Sequence, residues 1–177
     1  MGELKPYHKS VRFIAVFSRY QSHLDWFWAR VNQVWGELLS LSPPFAFAES
    51  EYYRPTMGDQ ILKQFAVLDR RYDPAMLASD KILTNLWEEE VKLALPANEP
   101  RPLNIDPGYM TLTKLVLAST KNREHRVYLR DSVYAEVTLG FRDQRWQPMP
   151  WTYPDYQRSD FLDYFLEARR VLLSKSL

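Results

Sequence analysis

The chain has 177 residues, no cysteine, and nearly balanced charge from 23 basic and 22 acidic residues. This length fits a single domain over residues 1–177 with a core of its own, and the lack of cysteine excludes disulfides and thiolate chemistry. A formal charge of +1 gives no general attraction to nucleic acid or to an anionic membrane. Because the chain has neither a signal-like N-terminus nor 18 consecutive apolar residues, we expect a cytoplasmic protein that binds no membrane.

Apolar periodicity predicts alternating strands and helices in the first hundred residues. The run Val11–Phe17 is almost continuously apolar, which is typical of a central strand buried on both faces. Ser22 is a candidate N-cap for an amphipathic helix that ends before Pro43-Pro44, and Asp73-Pro74 predicts the start of a second helix. The predicted elements are strands at 11–17, 45–49, 62–68 and 103–106, and helices at 24–38 and 74–95.

This order of elements is strand, helix, strand, strand, helix, strand, which predicts a ferredoxin-like βαββαβ core. The fold class is therefore α+β, with the helices on one face of the sheet. Short β-rich runs at 112–119, 125–130, 134–141 and 145–149 then predict an antiparallel β-meander, although the first run also fits a helix. Ser159 opens a predicted C-terminal helix that extends this core.

Asp106 ends the fourth predicted strand, just before an expected bend at Pro107-Gly108. Because Leu103 and Ile105 are apolar, Asn104 and Asp106 share the opposite face of that strand. A side chain fixed by a strand and exposed by a turn is a common functional position. Two interpretations remain open for Asp106, namely a cap for its own bend and a ligand or metal contact.

Two later strands are predicted to pair through their apolar faces, which sets Tyr128 opposite Glu136 and Arg126 opposite Thr138. Arg126 and Arg130 then flank Glu136 within reach of their long side chains. One interpretation is an ordinary salt-bridged sheet surface. The other is an anion site for phosphate or carboxylate, in which Glu136 orients the arginines or binds a cation.

Three further features could carry chemistry. Asp106, Glu136 and Asp155 could together hold a hard cation such as Mg²⁺ or Mn²⁺, and His125 could transfer protons or could simply be an exposed turn residue. The aromatic segment Trp151–Asp155 could stack on a base or sugar or could clamp the last helix. Finally, a polar stripe on the second helix is either a solvated face or a second site; it consists of Lys81, Thr84, Asn85 and Glu88.

The segments Asn104–Tyr109 and Trp151–Asp155 resemble those of an uncharacterised bacterial family of unknown function, and the resemblance spans nearly the whole chain. Other similar stretches are Tyr52-Tyr53, Met57-Gly58, Lys81 with Thr84-Asn85 and Glu88, and the ranges 117–121, 125–129 and 135–139. Some members carry a GTP-binding label, although this chain has no Walker-type loop. Two positions depart from the family pattern: Thr56 replaces an acidic residue, and Arg130-Asp131-Ser132 replaces a turn with glycine. The resemblance implies one pocket formed by Asp106, Lys121, His125, Arg126, Glu136 and Asp155.

From these observations we predict an enzyme or binder of a small anionic ligand, either phosphorylated or a nucleotide, used with Mg²⁺ or Mn²⁺. The candidate catalytic residues are Asp106, His125 and Glu136; the candidate ligand-binding residues are Asn104, Tyr109, Lys121, Arg126, Tyr128, Trp151 and Tyr153; the candidate metal ligands are Asp106, Glu136 and Asp155. Two alternatives are a non-catalytic protein- or RNA-interaction module and a structural oligomer subunit. The net charge disfavours nucleic acid, and the oligomeric state does not follow from the sequence.

Overall fold

The computed structural model describes residues 10–47 and 51–174. Nine strands, four α-helices and two 3₁₀ turns follow one another along these residues. They are β1 (Ser10–Ser18), α1 (Gln21–Trp35), β2 (Leu38–Leu41), β3 (Phe45–Phe47), α2 (Arg54–Met57), β4 (Ile61–Arg71), a 3₁₀ turn (Pro74–Met76), α3 (Leu77–Ala94), β5 (Asn104–Thr111), β6 (Lys114–Ser119), β7 (Val127–Arg130), β8 (Val133–Arg142), β9 (Arg145–Pro148), a second 3₁₀ turn (Pro154–Gln157) and α4 (Ser159–Ser174).

All nine strands form one antiparallel sheet in the order β2-β4-β1-β5-β6-β8-β7, in which β3 also pairs with β4 and β9 with β8. The α+β class and the C-terminal helix are therefore confirmed. β1 lies between β4 and β5, as two interleaved strand–helix–strand connections would place it. This placement supports the ferredoxin-like interpretation, which stays a prediction.

The two helices of the predicted core lie on one face of the sheet, as expected, and the C-terminal helix covers the other face. Helices α1 and α3 pack on the face that carries Ile14 and Val16 of β1. Helix α4 packs on the opposite face, which carries Phe13 and Ala15. Because β1 is buried on both faces, its run of apolar residues is explained, as the sequence predicted. None of the helices in the described ranges is both long and apolar enough to span a membrane.

Helix α1 is shorter than predicted, and a strand follows it. The helix ends at Trp35 because Gly36 adopts a φ of 95°, in the region that favours glycine. Residues Leu38–Leu41, which begin within the predicted helix, form β2 along β4. The helix also begins at Gln21, one residue before the predicted cap Ser22. Residues 48 and 49 of the predicted second strand lie outside the described residues.

The predicted bend at Pro107-Gly108 is wrong, since β5 continues through both residues to Thr111. Gly108 permits close approach of β6, because a Cβ at this position would lie 2.3 Å from the carbonyl oxygen of Val116. Pairing between β5 and β6 covers only Gly108–Met110, whereas β5 pairs with β1 along its whole length. Among the described residues, the Asn104–Pro107 half of β5 therefore has no partner on its β6 side. The sheet opens at this point.

The predicted register of β7 and β8 is also wrong, because Tyr128 pairs with Tyr134 rather than with Glu136. The two strands are joined by a two-residue turn in which Asp131 and Ser132 have φ angles of 51° and 60°, as a tight hairpin requires. The register shifts between Tyr128 and Arg130. In addition, β8 rather than β7 lies next to β6, so the last strands are not a simple meander.

Candidate functional site

A cavity of about 550 Å³ lies where β5 and β6 separate. It is on the α4 side of the sheet, since Asn104 and Asp106 alternate along β5 with residues that face α1 and α3. Its remaining walls come from the segment after β6, the residues before α2 and the 3₁₀ turn before α4. Buried side chains form the floor and exposed ones the mouth, so the cavity is open to solvent at one end.

Asn104 and Asp106 contribute one wall of the cavity and share a face of β5, as predicted. The Nδ2 of Asn104 donates to Oδ2 of Asp106 across 2.9 Å. Asp106 remains 29 % exposed, so its carboxylate keeps free lone pairs toward the cavity. The predicted turn-capping role for Asp106 has no basis, because no turn follows it.

Lys81 reaches Asp106 from helix α3, on the other side of the sheet. Its Nζ donates to the carbonyl oxygen of Ile105 at 2.7 Å and lies 3.4 Å from Oδ1 of Asp106. The carbonyl of Ile105 lies in the part of β5 that does not pair with β6, and Lys81 supplies its hydrogen-bond donor instead. Lys81 also lines the cavity, so the opening between the two strands joins the two faces of the sheet.

The polar stripe of α3 packs against β5 and is not a solvated face. Lys81, Thr84 and Glu88 are all buried. Glu88 accepts from the backbone N–H of Ile105 at 2.7 Å and from Arg101, which also lines the cavity, at 2.9 Å. Burial raises the pKa of Glu88, and the charges of Lys81 and Arg101 offset part of this rise. Burial would lower the pKa of Arg101, but the charge of Glu88, its hydrogen bond with Arg101 and the charge of Asp106 act together in the opposite direction, and the pKa is raised. Glu88 therefore orients Arg101.

Arg126 and Glu136 form a buried pair in the cavity wall. The Nε of Arg126 lies 2.8 Å from Oε2 of Glu136, and the two side chains are 4 % and 3 % exposed. Arg130, which was also expected to approach Glu136, instead contacts Asp131 and the hydroxyl of Ser79. The register of β7 accounts for this, since the two-residue turn directs Arg130 away.

Arg126 also holds the segment after β6 in place. Its Nη1 donates to the hydroxyl of Ser119 at 2.8 Å and to the carbonyl of Lys121 at 3.0 Å, and its Nη2 reaches the hydroxyl of Tyr153 at 3.3 Å. An arginine has five donors, and four are engaged here. Burial would lower the pKa of Arg126, but the hydrogen bonds with Glu136 and Tyr153 and the charge of Glu136 act together in the opposite direction, and the pKa is raised. Arg126 therefore positions neighbouring groups and has little capacity left for a ligand.

His125 and Trp151 lie beside the cavity, in a shallow depression with Arg123, Glu124 and Pro150. Their rings stack with centroids 5.1 Å apart and planes inclined by 6°. The Nε2 of His125 is 3.1 Å from Glu136, and Trp151 donates to the carbonyl of Val137 at 2.9 Å. His125 is therefore joined to the cavity through Glu136, and Arg123 lines both the depression and the cavity.

The floor of the cavity contains a buried lysine that the sequence analysis missed. The Nζ of Lys63 lies 2.5 Å from Oδ2 of Asp155, and the side chains are 3 % and 8 % exposed. The ammonium also lies 4.4–5.5 Å from the centroids of four aromatic rings, which stabilise a cation. These rings belong to Phe17, Phe47, Phe65 and Tyr156.

The lining of the cavity carries an excess of positive charge. Six basic and three acidic side chains line it. Each of the three carboxylates already contacts a basic side chain: Asp106 with Lys81, Glu136 with Arg126, and Asp155 with Lys63. Lys121 and Arg123, exposed at the mouth, form no ion pair within residues 10–47 and 51–174. Because Glu88 pairs with Arg101, the uncompensated positive charge of the lining lies at Lys121 and Arg123, although the whole chain is almost neutral.

The three predicted metal ligands line the same cavity, but each faces a cation. Across the part of the chain that the structure describes, no group of three or more His, Asp or Glu side chains is arranged to hold a metal ion. Of the three, Asp106 is the most accessible, because Glu136 and Asp155 are 3 % and 8 % exposed. A requirement for Mg²⁺ or Mn²⁺ stays a prediction.

Four of the seven predicted ligand-binding residues line the cavity, together with the three predicted carboxylates; the lining residues are Asn104, Lys121, Arg126 and Tyr153, with Asp106, Glu136 and Asp155. Three do not line it, and of these Trp151 lies in the depression beside His125. Tyr109 faces the opposite side of the sheet, where its ring contacts Tyr72. Tyr128 is 59 % exposed on the edge strand β7 and contacts Tyr134.

Other lining residues had not been assigned to the site by sequence reasoning. They include Tyr52, Tyr53, Lys63, Arg101, Arg123 and Tyr156. The Nζ of Lys121 lies 3.1 Å from the hydroxyl of Tyr52 and 4.8 Å from its ring centroid. The hydrogen bond from Lys121, followed by its charge, lowers the pKa of Tyr52. The sequence feature that could have indicated this contact is the dipeptide Tyr52-Tyr53 in a polar loop.

The chain matches a family described as a domain of unknown function (DUF4416) over residues 8–171. The match covers most of the chain, so the protein belongs to this family. The comparison with curated proteins finds no match.

Proposed function

We propose that the cavity binds a small anionic ligand, either a phosphorylated compound or a nucleotide, as an enzyme or as a binding protein. The observation that carries this proposal is the excess of basic side chains lining a cavity of about 550 Å³. This volume lies within the range of small-molecule sites. Because every carboxylate in the lining already faces a cation, the remaining positive charge is available to an anion.

The anion would bind at the mouth, where Lys121 and Arg123 are exposed. Arg126 supports this arrangement from behind, since it fixes Ser119 and the carbonyl of Lys121. Sequence reasoning assigned the anion to Lys121 and Arg126; the geometry favours Lys121 with Arg123, because four donors of Arg126 are engaged. If a divalent cation accompanies the phosphate, Asp106 is the carboxylate best placed to meet it.

Proton transfer by His125 remains part of the proposal for a catalytic protein. Glu136 orients the ring through Nε2, which lies 3.1 Å from its carboxylate. His125 faces the shallow depression, so a proton from a ligand in the cavity would pass through Glu136.

Calorimetry and thermal-shift assays with sugar phosphates, nucleotides and inorganic phosphate, with and without Mg²⁺ or Mn²⁺, test the proposal. A ligand at about 100 times its Kd should stabilise the fold by about 2.7 kcal/mol, or roughly 5–10 °C in Tm at this size. The variant Lys121→Gln/Arg123→Gln should bind about tenfold more weakly, or worse, because charge-assisted hydrogen bonds are lost.

The matched control is Lys114→Gln/Arg145→Gln, which removes two exposed basic residues elsewhere on the same sheet. This variant should bind like the wild type. Equal weakening in both double variants would indicate nonspecific attraction and contradict the proposal, as would the absence of binding by every anion.

A second candidate function, a protein-interaction module, is favoured by the edge strand β7. All four of its residues are exposed, including Val127 at 68 % and Leu129 at 38 %. An exposed edge can accept an extended strand from another protein. Sedimentation analysis of the protein and of Leu129→Lys would reveal self-association through this edge, and a monomer in both cases would remove that form of the hypothesis.

A further inference from the structure

Tyr156 is a buried residue of the cavity floor whose hydroxyl lacks a hydrogen-bond partner among the described residues. It is 3 % exposed, and it lies in the 3₁₀ turn Pro154–Gln157. Buried hydroxyls are nearly always hydrogen-bonded, because leaving one unpaired costs free energy. A partner from a bound ligand would account for this one, and it would reach the hydroxyl through a shift of the neighbouring side chains, because the oxygen itself has almost no accessible surface.

The surroundings of this hydroxyl define what kind of group it can meet. Lys63 and Asp155 beside it neutralise one another at 2.5 Å, so the floor does not attract a further charge, and burying one there would be costly. Burial, followed by the charge of Asp155, raises the pKa of Tyr156 well above its ordinary value. The hydroxyl therefore keeps its proton and can both donate to and accept from an uncharged group.

Part of the cavity wall is aromatic and apolar. Phe47 and Tyr53 line the cavity with their ring centroids 5.8 Å apart, and Leu117 adds apolar surface. A phosphate group alone would leave most of the cavity of about 550 Å³ unused. Aromatic walls with a few fixed polar atoms are typical of sites that bind a ring and orient it by its edge.

We propose that Tyr156 is a specificity residue whose hydroxyl hydrogen-bonds the edge of an uncharged planar ring, as in a nucleobase, on a ligand whose phosphate lies at Lys121 and Arg123. This inference rests on the proposed function, because it presumes that the phosphate binds at the mouth of the same cavity. The site would then have a charged mouth that binds any phosphate group and a neutral floor that selects the group attached to the phosphate.

Calorimetric titration with the common nucleoside 5′-monophosphates, ribose 5-phosphate and inorganic phosphate tests the inference. At least one nucleotide should bind at least about tenfold more tightly than ribose 5-phosphate, which has no base. Tyr156→Phe should weaken that nucleotide about two- to tenfold, as expected for one neutral hydrogen bond, and should leave ribose 5-phosphate unchanged. Tyr164→Phe is the matched control, because it removes a hydroxyl that is buried outside the cavity and donates to the carbonyl of Ser40.

Tyr156→Phe should keep the fold, since the hydroxyl it removes has no partner in the chain, and a thermal scan of each variant checks this. Ribose 5-phosphate binding as tightly as every nucleotide would overturn the inference and leave the proposed anion site intact. So would an unchanged nucleotide affinity in Tyr156→Phe, or equal weakening by Tyr164→Phe. If no phosphate compound binds at all, the proposed function itself fails and the inference fails with it.

Discussion

The guanidinium of Arg126 donates from Nε to Oε2 of Glu136 across 2.8 Å, with both side chains almost fully buried. This contact joins β8 to the segment after β6, because the same guanidinium binds Ser119 and the carbonyl of Lys121. The mouth of the cavity is therefore held by a charge pair behind it. Any change that breaks the pair should affect both the stability of the fold and the position of Lys121.

Glu136→Gln should destabilise the protein by about 3–5 kcal/mol, because it leaves the buried charge of Arg126 without its partner. The free energy of unfolding from urea titration measures this loss. Glu167→Gln is the control, since it breaks a pair with Arg170 in which both side chains are over 60 % exposed. Such a pair contributes about 0–1 kcal/mol. Similar losses in the two variants would contradict the structural role given to Glu136.

Gly108→Ala should destabilise the protein by about 1–3 kcal/mol, as overpacking against a rigid neighbour does. The added Cβ would lie 2.3 Å from the carbonyl oxygen of Val116, which is backbone and can move only if β6 moves. Gly140→Ala is the matched control on β8, because its Cβ would meet the flexible end of Met149 at 2.8 Å. Urea titration should show the larger loss for Gly108→Ala, and the reverse order would contradict the close pairing of β5 and β6.

Glu136 and Gly108 also show where sequence patterns were sufficient to predict the structure and where they were not. Glu136 and Arg126 were expected to meet because alternation along a strand assigns each side chain to a face, and that assignment survived an error in register. Gly108 was assigned to a bend because Pro-Gly usually marks one. Here the glycine serves close strand packing instead, a tertiary constraint that local residue preferences do not reveal.

Lys63 is a clearer example of a residue whose environment cannot be predicted from the local sequence. A single lysine in an apolar strand ordinarily points to solvent, since lysine is almost never fully buried without a partner. Its partner Asp155 lies 92 residues away, and the rings around it come from separate segments of the chain. Such a site is created by the assembled fold. The helical periodicity of α3 and α4, in contrast, is a local property, and both helices were predicted.

Lys121→Gln should raise the pKa of Tyr52, because the hydrogen bond and the charge of Lys121 hold it below its ordinary value. Binding of a phosphate compound at Lys121 should shift the pKa in the same direction, since it adds negative charge beside the phenol. The measurement is the ultraviolet absorbance of tyrosinate as a function of pH, with Tyr52→Phe subtracted to isolate this residue among the 11 tyrosines. Lys114→Gln, a control at the far end of β6, should leave the difference titration unchanged.

Glu88 should make the protein less stable as pH rises above the ordinary pKa of glutamate and through the raised pKa of this carboxyl in the folded state. Burial raises the pKa of this carboxyl in the folded state, so between the ordinary and the raised pKa the folded state binds more protons than the unfolded state. The contribution to stability is fully present below the ordinary pKa and is lost as pH rises through the raised one. Urea titrations of the wild type and of Glu88→Gln should therefore differ most in favour of the wild type at the acidic end.

Asp160 should contribute to stability with the opposite pH dependence, and it serves as the internal control for Glu88. Its hydrogen bond with Arg158 lowers the pKa of the carboxyl in the folded state. Its contribution is present above the ordinary pKa of aspartate and is lost as pH falls through the lowered one. The advantage of the wild type over Asp160→Asn should thus shrink toward acid, whereas its advantage over Glu88→Gln should grow. Parallel pH profiles for the two variants would show that the carboxyl of Glu88 is not desolvated between α3 and β5.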